Sequence, residues 1–354
     1  MRLINAFGDK ADHTVLAARG GPPAARSSID RAVTAEFPGD SPRLDGLPGL
    51  VSLFRLSRYM RRFDLVLSYG WSALNLVMAR HLFGGPPLIH HQDDAGNANG
   101  ALGALCRRMA LSSVFRLVVG SRAVERLART EWGLPAEKVE LIVHGIDVGR
   151  FSGPAVEGAI PGLARQPGEV VIGTVAELQP ENNLLHLVRA FAAMQVRVAR
   201  LVLVGTGPET ERIVAEARRC RVAERLLMPG ALPDPARFLS CFDIFASAAA
   251  GETLPAALLQ AMAAGLPIAA SVAGHVPAVV SPDNLPLIVA PDDEAALTAA
   301  LDTLSERSDL RQSIGRANRE TARCDFDEKA MLVRYARLYG DAIGAPQTFL
   351  AALA

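Results

Sequence analysis

Strand-like apolar runs alternate with helix-patterned stretches along almost the whole chain, and this rhythm narrows the fold more than any other feature. A strand, a crossover helix and a second strand return the chain to the same sheet, so the repeat builds parallel sheets with helices on their faces. In the first half the runs predict strands at 14–17, 64–68, 87–90, 116–119 and 140–143. In the second half they predict strands at 169–174, 200–204, 226–229, 243–246, 267–270 and 287–289. Helical patterns fill the intervals, for example 122–130 behind Ser121 and 209–219 behind Pro208. A last helix over 328–342 sets Tyr335 and Tyr339 four apart on one face.

At about 150 residues per domain, 354 residues suffice for two such sheets. The Gly- and Pro-rich stretch 151–169, FSGPAVEGAIPGLARQPGE, reads as the linker. The expected organisation is an α/β protein of two doubly wound, Rossmann-like domains, 1–155 and 165–327. A C-terminal helix, 328–345, can pack back on the first domain. A ligand would sit at the carboxyl ends of the strands, in a cleft between the domains.

Half of the residues are hydrophobic and 21% are charged, which excludes a disordered chain. Lys and Arg number 37, as do Asp and Glu, so no net field attracts a polyanion and nucleic-acid binding is excluded as the main role. Cys106, Cys220, Cys241 and Cys324 are scattered without a C-x-x-C pair, so neither a disulfide framework nor a zinc site is indicated. Asp9, Lys10 and Asp12 interrupt the N-terminal apolar residues, so no signal peptide is expected. No apolar run reaches the ~18 residues of a membrane span. The longest candidate, 238–274, contains Asp243, Glu252, Pro255 and Pro267. A soluble, cytoplasmic protein is expected.

Two segments carry candidate chemistry. LVLVGTGPETE, 201–211, is a buried strand, a glycine turn and a helix start; Gly205 and Gly207 permit a sharp turn and close backbone approach to a ligand or to a packing partner. Thr210 stands where a dinucleotide fingerprint needs its third glycine, which counts against a dehydrogenase. The segment 243–280, DIFASAAAGETLPAALLQAMAAGLPIAASVAGHVPAVV, is more informative. A strand ends near Ala246, a loop carries Glu252, and a helix opens at Pro255 and stops at Gly265 as its C′ residue. The helix start offers free N–H groups and partial positive charge, which suit a phosphate or diphosphate. Glu252 and Gln260, eight apart, could bracket a sugar hydroxyl and a ribose.

This segment resembles the E-x7-E region of glycosyltransferase family 4, the retaining nucleotide-sugar transferases of GT-B fold. Glu252 matches the first acid, Gln260 the second, and Gly274-His275 the glycine pair of the following loop. VVGSRAVERL (118–127), VELIVHGIDVGRF (139–151), GTVAELQPENNLLHLVRAF (173–191) and LVLVGTGPE follow the family in order, so the resemblance covers nearly the whole chain. It implies a donor held mainly by the C-terminal domain and an acceptor held mainly by the N-terminal one. The implied donor-binding set is Gly173, Glu177, Asn182, Gly205, Gly207, Glu252, Thr253, Leu254 and Gln260, with Glu252 on the donor sugar and Gln260 on the ribose. The implied catalytic pair is His91 and Glu252. His91 stands at a strand end in PPLIHHQDDAG, where the family carries a His near the reacting sugar, and His90 is second choice. No cofactor is implied beyond the nucleotide-sugar co-substrate. No metal is expected, because adjacent Asp93 and Asp94 point apart and the family is metal-independent. The implied reaction is transfer of a hexose to a glycan or lipid-linked acceptor with retention, in polysaccharide or cell-envelope synthesis.

Departures from the family matter as much. Its diphosphate clamp, R-L-x-P-x-K, reads ELQPEN here, with Glu177 for the Arg and Asn182 for the Lys. The leaving diphosphate gathers negative charge, and losing one well-placed donor to it costs roughly 2.7–4 kcal/mol. Gln260 replaces an acid and keeps only a neutral hydrogen bond. The N-terminus reads as the end of a helix and a second strand, as though about one βα unit were missing. A catalytically inactive relative serving as a binding or scaffold subunit is therefore the rival reading. Residues 50–63, LVSLFRLSRYMRRF, form a basic helix with Arg55, Arg58 and Arg62 on one side. It packs its apolar stripe on the sheet or, as in relatives, touches an anionic membrane.

Overall fold

The computed structural model describes residues 2–8, 10–16, 29–39, 42, 44, 49–93, 107–249, 256–272 and 276–353. The chain divides into two compact units, Met1–His144 with Glu328–Ala354, and Gly145–Asp327.

The first unit opens with a short helix, Arg2–Phe7, and a two-stranded parallel pair, β1 (His13–Thr14) with β2 (Ala35–Glu36). Its main sheet runs β3 (Val66–Tyr69), β4 (Leu88–Gln92), β5 (Arg116–Val119) and β6 (Val139–Leu141), all parallel and in chain order. One face is covered by the helices Leu50–Met60 and Leu74–Phe83, whose Leu53, Leu56, Leu76 and Val77 join Leu88 and Leu117 in the core. The other face is covered by the helix Glu328–Ile343, where Tyr335, Leu338 and Tyr339 pack with Phe7, Ile89 and Val118. Those two tyrosines are both buried, their ring centroids 5.6 Å apart. The i, i+4 spacing thus serves packing within this unit.

The second unit holds a six-stranded parallel sheet in the order β12-β11-β10-β7-β8-β9. The strands are β7 (Val170–Val175), β8 (Ala199–Val204), β9 (Leu226–Gly230), β10 (Ile244–Ser247), β11 (Ile268–Ser271) and β12 (Ile288–Val289). The near-continuous apolar runs of β7 and β8 follow from burial on both faces, as parallel sheets require. The helices Leu184–Ala193 and Glu294–Glu306 bury Leu187, Phe191, Leu297 and Leu301 against that sheet. The chain winds outward from β7 to β9, then returns to β7's other side with β10, so the sheet reverses direction between β7 and β10.

The stretch 151–169 is not a free linker. It belongs to the second unit, with Phe151 and Ile160 buried, Val156 N donating to Arg237 O (2.8 Å), and Ser240 Oγ donating to Gly153 O (2.9 Å). Its glycines and prolines shape turns that lie on the domain, and two well-placed apolar side chains anchor them.

Candidate functional site

In doubly wound sheets ligands bind outside the carboxyl ends of the strands, where the strand order reverses. In the second unit that point lies between β7 and β10. The loop after β7, 176–183, forms one side, and the residues after β10 lead into the helix Ala256–Ala263 on the other. Glu252, Thr253, Leu254, the helix-opening Pro255 and the Gly274-His275 pair lie outside the described residues. Gln260 lies within the helix, half-buried, and Gly265 ends it with φ +77°.

Glu177 and Asn182 both sit on the β7 loop, and their side chains are turned to the loop itself. Glu177 is exposed and its carboxylate accepts a hydrogen bond from Gln179 Nε2 at 2.6 Å. Asn182 Nδ2 donates to the Glu177 backbone oxygen at 2.7 Å. AELQPENN, the sequence of this loop, contains no Lys or Arg.

The predicted glycines prove to shape this loop from behind. Gly205, at φ +150°, and Gly207 follow β8, and a Cβ at either would overlap the backbone oxygen of Ala176 or of Leu178, respectively. The absent side chains let two strand-end loops zip together through Ala176 N to Val204 O (3.1 Å), Leu178 N to Thr206 O (3.0 Å) and Glu209 N to Leu178 O (2.9 Å). Their close approach is to the chain, not to an open surface. Gly173 lies buried in β7, where a Cβ would overlap the Phe242 ring, so it too serves packing.

In the first unit, strand β4 (LIHHQ) is buried at every position. Successive side chains leave opposite faces, so His90 and His91 enter different surroundings. His90 Nδ1 pairs with Ser68 Oγ at 2.8 Å, and its ring lies near Trp71. His91 stacks on Tyr69 at 4.3 Å and faces Tyr335 at 5.8 Å, with its Nδ1 3.3 Å from Ser68 O. Burial drives both imidazoles down to about 4, so both are neutral near pH 7. His91 is 6% exposed, and its Nε2 is buried without a hydrogen-bond partner. The residue expected to stand open at a reacting sugar is therefore sandwiched between two tyrosine rings.

Sequence reasoning gave no role to His144 or Tyr69. His144 Nε2 lies 3.6 Å from Asp93 Oδ2, with both side chains more than half exposed. The Asp93 carboxylate raises the His144 imidazole, and His144 lowers Asp93 in return. His144 is visible in the motif VELIVHGIDVGRF, but nothing in the sequence pairs it with a residue 51 positions earlier. Asp94 lies outside the described residues, and among those described no group of three or more His, Cys, Asp or Glu could hold a metal ion.

Comparison with known proteins follows the same division. Residues 1–150 match "Glycosyltransferase Family 4", and residues 159–321 match "Glycosyl transferases group 1". Over 176 residues the chain is 24% identical to N-acetyl-alpha-D-glucosaminyl L-malate synthase of Bacillus anthracis, covering 49% of this chain and 46% of that protein. Over 167 residues it is 30% identical to the putative glycosyltransferase EpsF of Bacillus subtilis, covering 46% and 43%. The chain spans about half the length of the curated relatives it matches. The fold matches that of Anabaena Alr3699/HepE in complex with UDP, with TM-score 0.79 and 17% identity over 96% of this chain and 94% of that one. The same Anabaena protein has been solved with UDP-glucose, at TM-score 0.67. Two Rossmann-like units, a strand-order reversal flanked by the ELQPEN loop, and matches along both halves make the chain a member of glycosyltransferase family 4, with the GT-B fold.

Proposed function

We propose that this transferase moves a hexose from a nucleoside diphosphate-sugar to a hydroxyl of a glycan or lipid-linked acceptor, with retention of configuration. The observation that carries the donor reading is the reversal of strand order between β7 and β10 in the second unit. At that point the N-terminus of the helix Ala256–Ala263 supplies partial positive charge for a diphosphate. Gln260 offers one donor and one acceptor group to a ribose. Glu252, Thr253 and Leu254 precede the same helix in sequence and complete the proposed donor set. The Anabaena neighbour solved with UDP and with UDP-glucose supports a nucleotide-sugar as the donor class. His91 then acts through Tyr69 as a positioning residue, since its own ring is buried.

Glu177 and Asn182 favour a second reading, a relative that binds partners without catalysing transfer. A carboxylate replaces a cation at the reversal point, and the Asn182 amide is turned to the backbone. Calorimetric titration of the chain with UDP, GDP, ADP and their common sugars separates the two. Binding tighter than about 1 mM, near −4 kcal/mol, supports the donor reading. No binding to any of them supports the inactive relative.

The same reading places the protein in the cytoplasm, at the membrane's inner face. Among the described residues no helix is long and apolar enough to cross a membrane. The helix Leu50–Met60 buries Leu53, Leu56 and Met60, yet exposes Leu50, Val51 and Phe54 beside Arg55 and Arg58. Apolar residues that enter the interface next to cations that meet lipid phosphates suit an anionic bilayer. Sedimentation with phosphatidylglycerol liposomes, but not with phosphatidylcholine alone, is expected. Unchanged sedimentation of a Phe54→Ser, Arg58→Glu variant would refute this contact.

A further inference from the structure

The helix Ala256–Ala263 is eight residues long, and its last carbonyls need partners beyond its own length. The turn that follows supplies three, through Ala264 N to Gln260 O (2.9 Å), Leu266 N to Ala261 O (3.0 Å) and Gly265 N to Met262 O (2.9 Å). Arg319, on the helix Ser308–Asp325, supplies two more: its Nε donates to Ala263 O at 3.1 Å and its Nη2 to Ala264 O at 2.6 Å. The half-buried guanidinium thereby sets its positive charge against the negative pole of the short helix. The neighbouring Asn318 donates from Nδ2 to Leu266 O (2.9 Å) and to Asn284 Oδ1 (2.7 Å), and accepts from Ser281 N (3.1 Å). Asn284 in turn bonds both the amide and the carbonyl of Ile268, the first residue of β11, at 2.9 and 2.7 Å. Both asparagines are fully buried. A Cβ on Gly315 would overlap the Gly265 oxygen, so these two backbones are in direct contact.

We propose that Arg319 is a positioning residue for donor binding: through Ala263 O and Ala264 O it fixes where the helix Ala256–Ala263 stands along its own axis. The inference rests on the donor reading above. The helix buries Leu258, Leu259, Ala261 and Met262, and such an apolar stripe decides which face turns inward. It does not fix the position along the axis, because dispersion contacts are non-directional. A guanidinium fork on two carbonyls and a satisfied, buried amide pair are directional, and they supply what the stripe lacks. At 1.5 Å per residue the helix is about 12 Å long, too short to absorb a displacement by bending. A shift at the clamped end therefore reaches the N-terminus. Gln260 stands still closer, since its own carbonyl takes part in the terminal turn through Ala264 N. Asn318 and Asn284 hold the same end to β11, so Arg319 bears on a fixed base.

The test uses the full chain and three probe pairs: UDP with uridine, GDP with guanosine and ADP with adenosine. Diphosphates are titrated by calorimetry and nucleosides by ligand-observed NMR, and the pair whose diphosphate binds the wild type is carried to the variants. Arg319→Gln removes the charge and the fork; Arg319→Lys keeps the charge and one donor group. Diphosphate affinity is expected to fall about tenfold in Arg319→Gln and about threefold in Arg319→Lys, with nucleoside affinity within about twofold of wild type. A role in stability alone would lower the thermal midpoint and leave the ratio of diphosphate to nucleoside affinity unchanged, and that result would overturn the proposal. Equal weakening of diphosphate and nucleoside would overturn it as well. Should Arg319→Gln fail to fold, the ratio in Arg319→Lys decides. Wild-type binding with an unchanged ratio in the variants removes this inference and leaves the donor reading standing; a wild type that binds none of the three diphosphates removes both.

Discussion

The two sheets end in opposite ways. At the carboxyl end of the first unit's sheet, side chains define the surface: an acid, an imidazole and a tyrosine stacked on the buried His91. At the corresponding end of the second unit, backbone defines it, because Gly205 and Gly207 draw two loops together and the Glu177 and Asn182 side chains bond within their own loop. The first kind of surface is sensitive to protonation, whereas the second is sensitive to added atoms.

The largest expected effect is on the first unit and comes from acid. His90 and His91 sit near 4 when folded against an ordinary value of 6.5. Above pH 6.5 both states are neutral and the contribution is fully present. Between 6.5 and 4 the unfolded chain takes up protons that the folded chain refuses, so stability falls as pH falls, by up to about 3 kcal/mol per imidazole. The groups facing them are Ser68, Tyr69, Trp71, Gln92, Asp93 and Tyr335. His144 works in the opposite direction, since its raised value stabilises the folded state at low pH and that gain is lost as pH rises. Both tryptophans, Trp71 and Trp132, lie in the first unit, so their fluorescence follows it alone. The urea midpoint read by fluorescence should drop clearly between pH 7 and pH 5. An unchanged midpoint would mean that the two histidines are not buried neutral.

The next effect belongs to the second unit. Gly205→Ala places a methyl group on the Ala176 oxygen at a φ that only glycine adopts readily, and should cost about 3 kcal/mol. Far-UV circular dichroism should show earlier unfolding, while the tryptophan signal keeps its wild-type midpoint. If both signals shift together, the units do not unfold separately and the contrast between them loses its experimental handle.

The legibility of the sequence follows the same contrast. The second sheet could be read from apolar runs, because buried parallel strands such as VVIGTV and RLVLV have little choice of composition. The four strands of the first unit's main sheet were legible as well, and 116–119 matches β5, but the two-residue β2, Ala35–Glu36, was not. What could not be read was any feature that depends on which loops meet. Gly205 and Gly207 fit a ligand turn and a packed turn equally well until Ala176 and Leu178 fill the space. Asp93 and His144 are brought together only by strand register, and Tyr69 gains its stacking partner from the neighbouring strand. The 151–169 stretch misled because glycine and proline mark turns whether or not those turns lie on a domain. His91 was found by motif, but motif does not report burial.

The smallest effect tests the backbone-built end directly. If Glu177 and Asn182 weaken a diphosphate site that otherwise survives, the double variant Glu177→Arg, Asn182→Lys should restore two cations on a loop whose course Gly205 and Gly207 already fix. Glu177→Arg loses the acceptor for Gln179 Nε2, and Asn182→Lys loses the hydrogen bond that the Asn182 amide donates to the Glu177 backbone oxygen, so part of the gain is offset. A net tightening of UDP binding of about tenfold, near 1.4 kcal/mol, is expected, with a steeper fall in affinity as salt is raised. Unaltered UDP affinity in the double variant, with the fold intact by circular dichroism, would mean that this loop does not face the diphosphate.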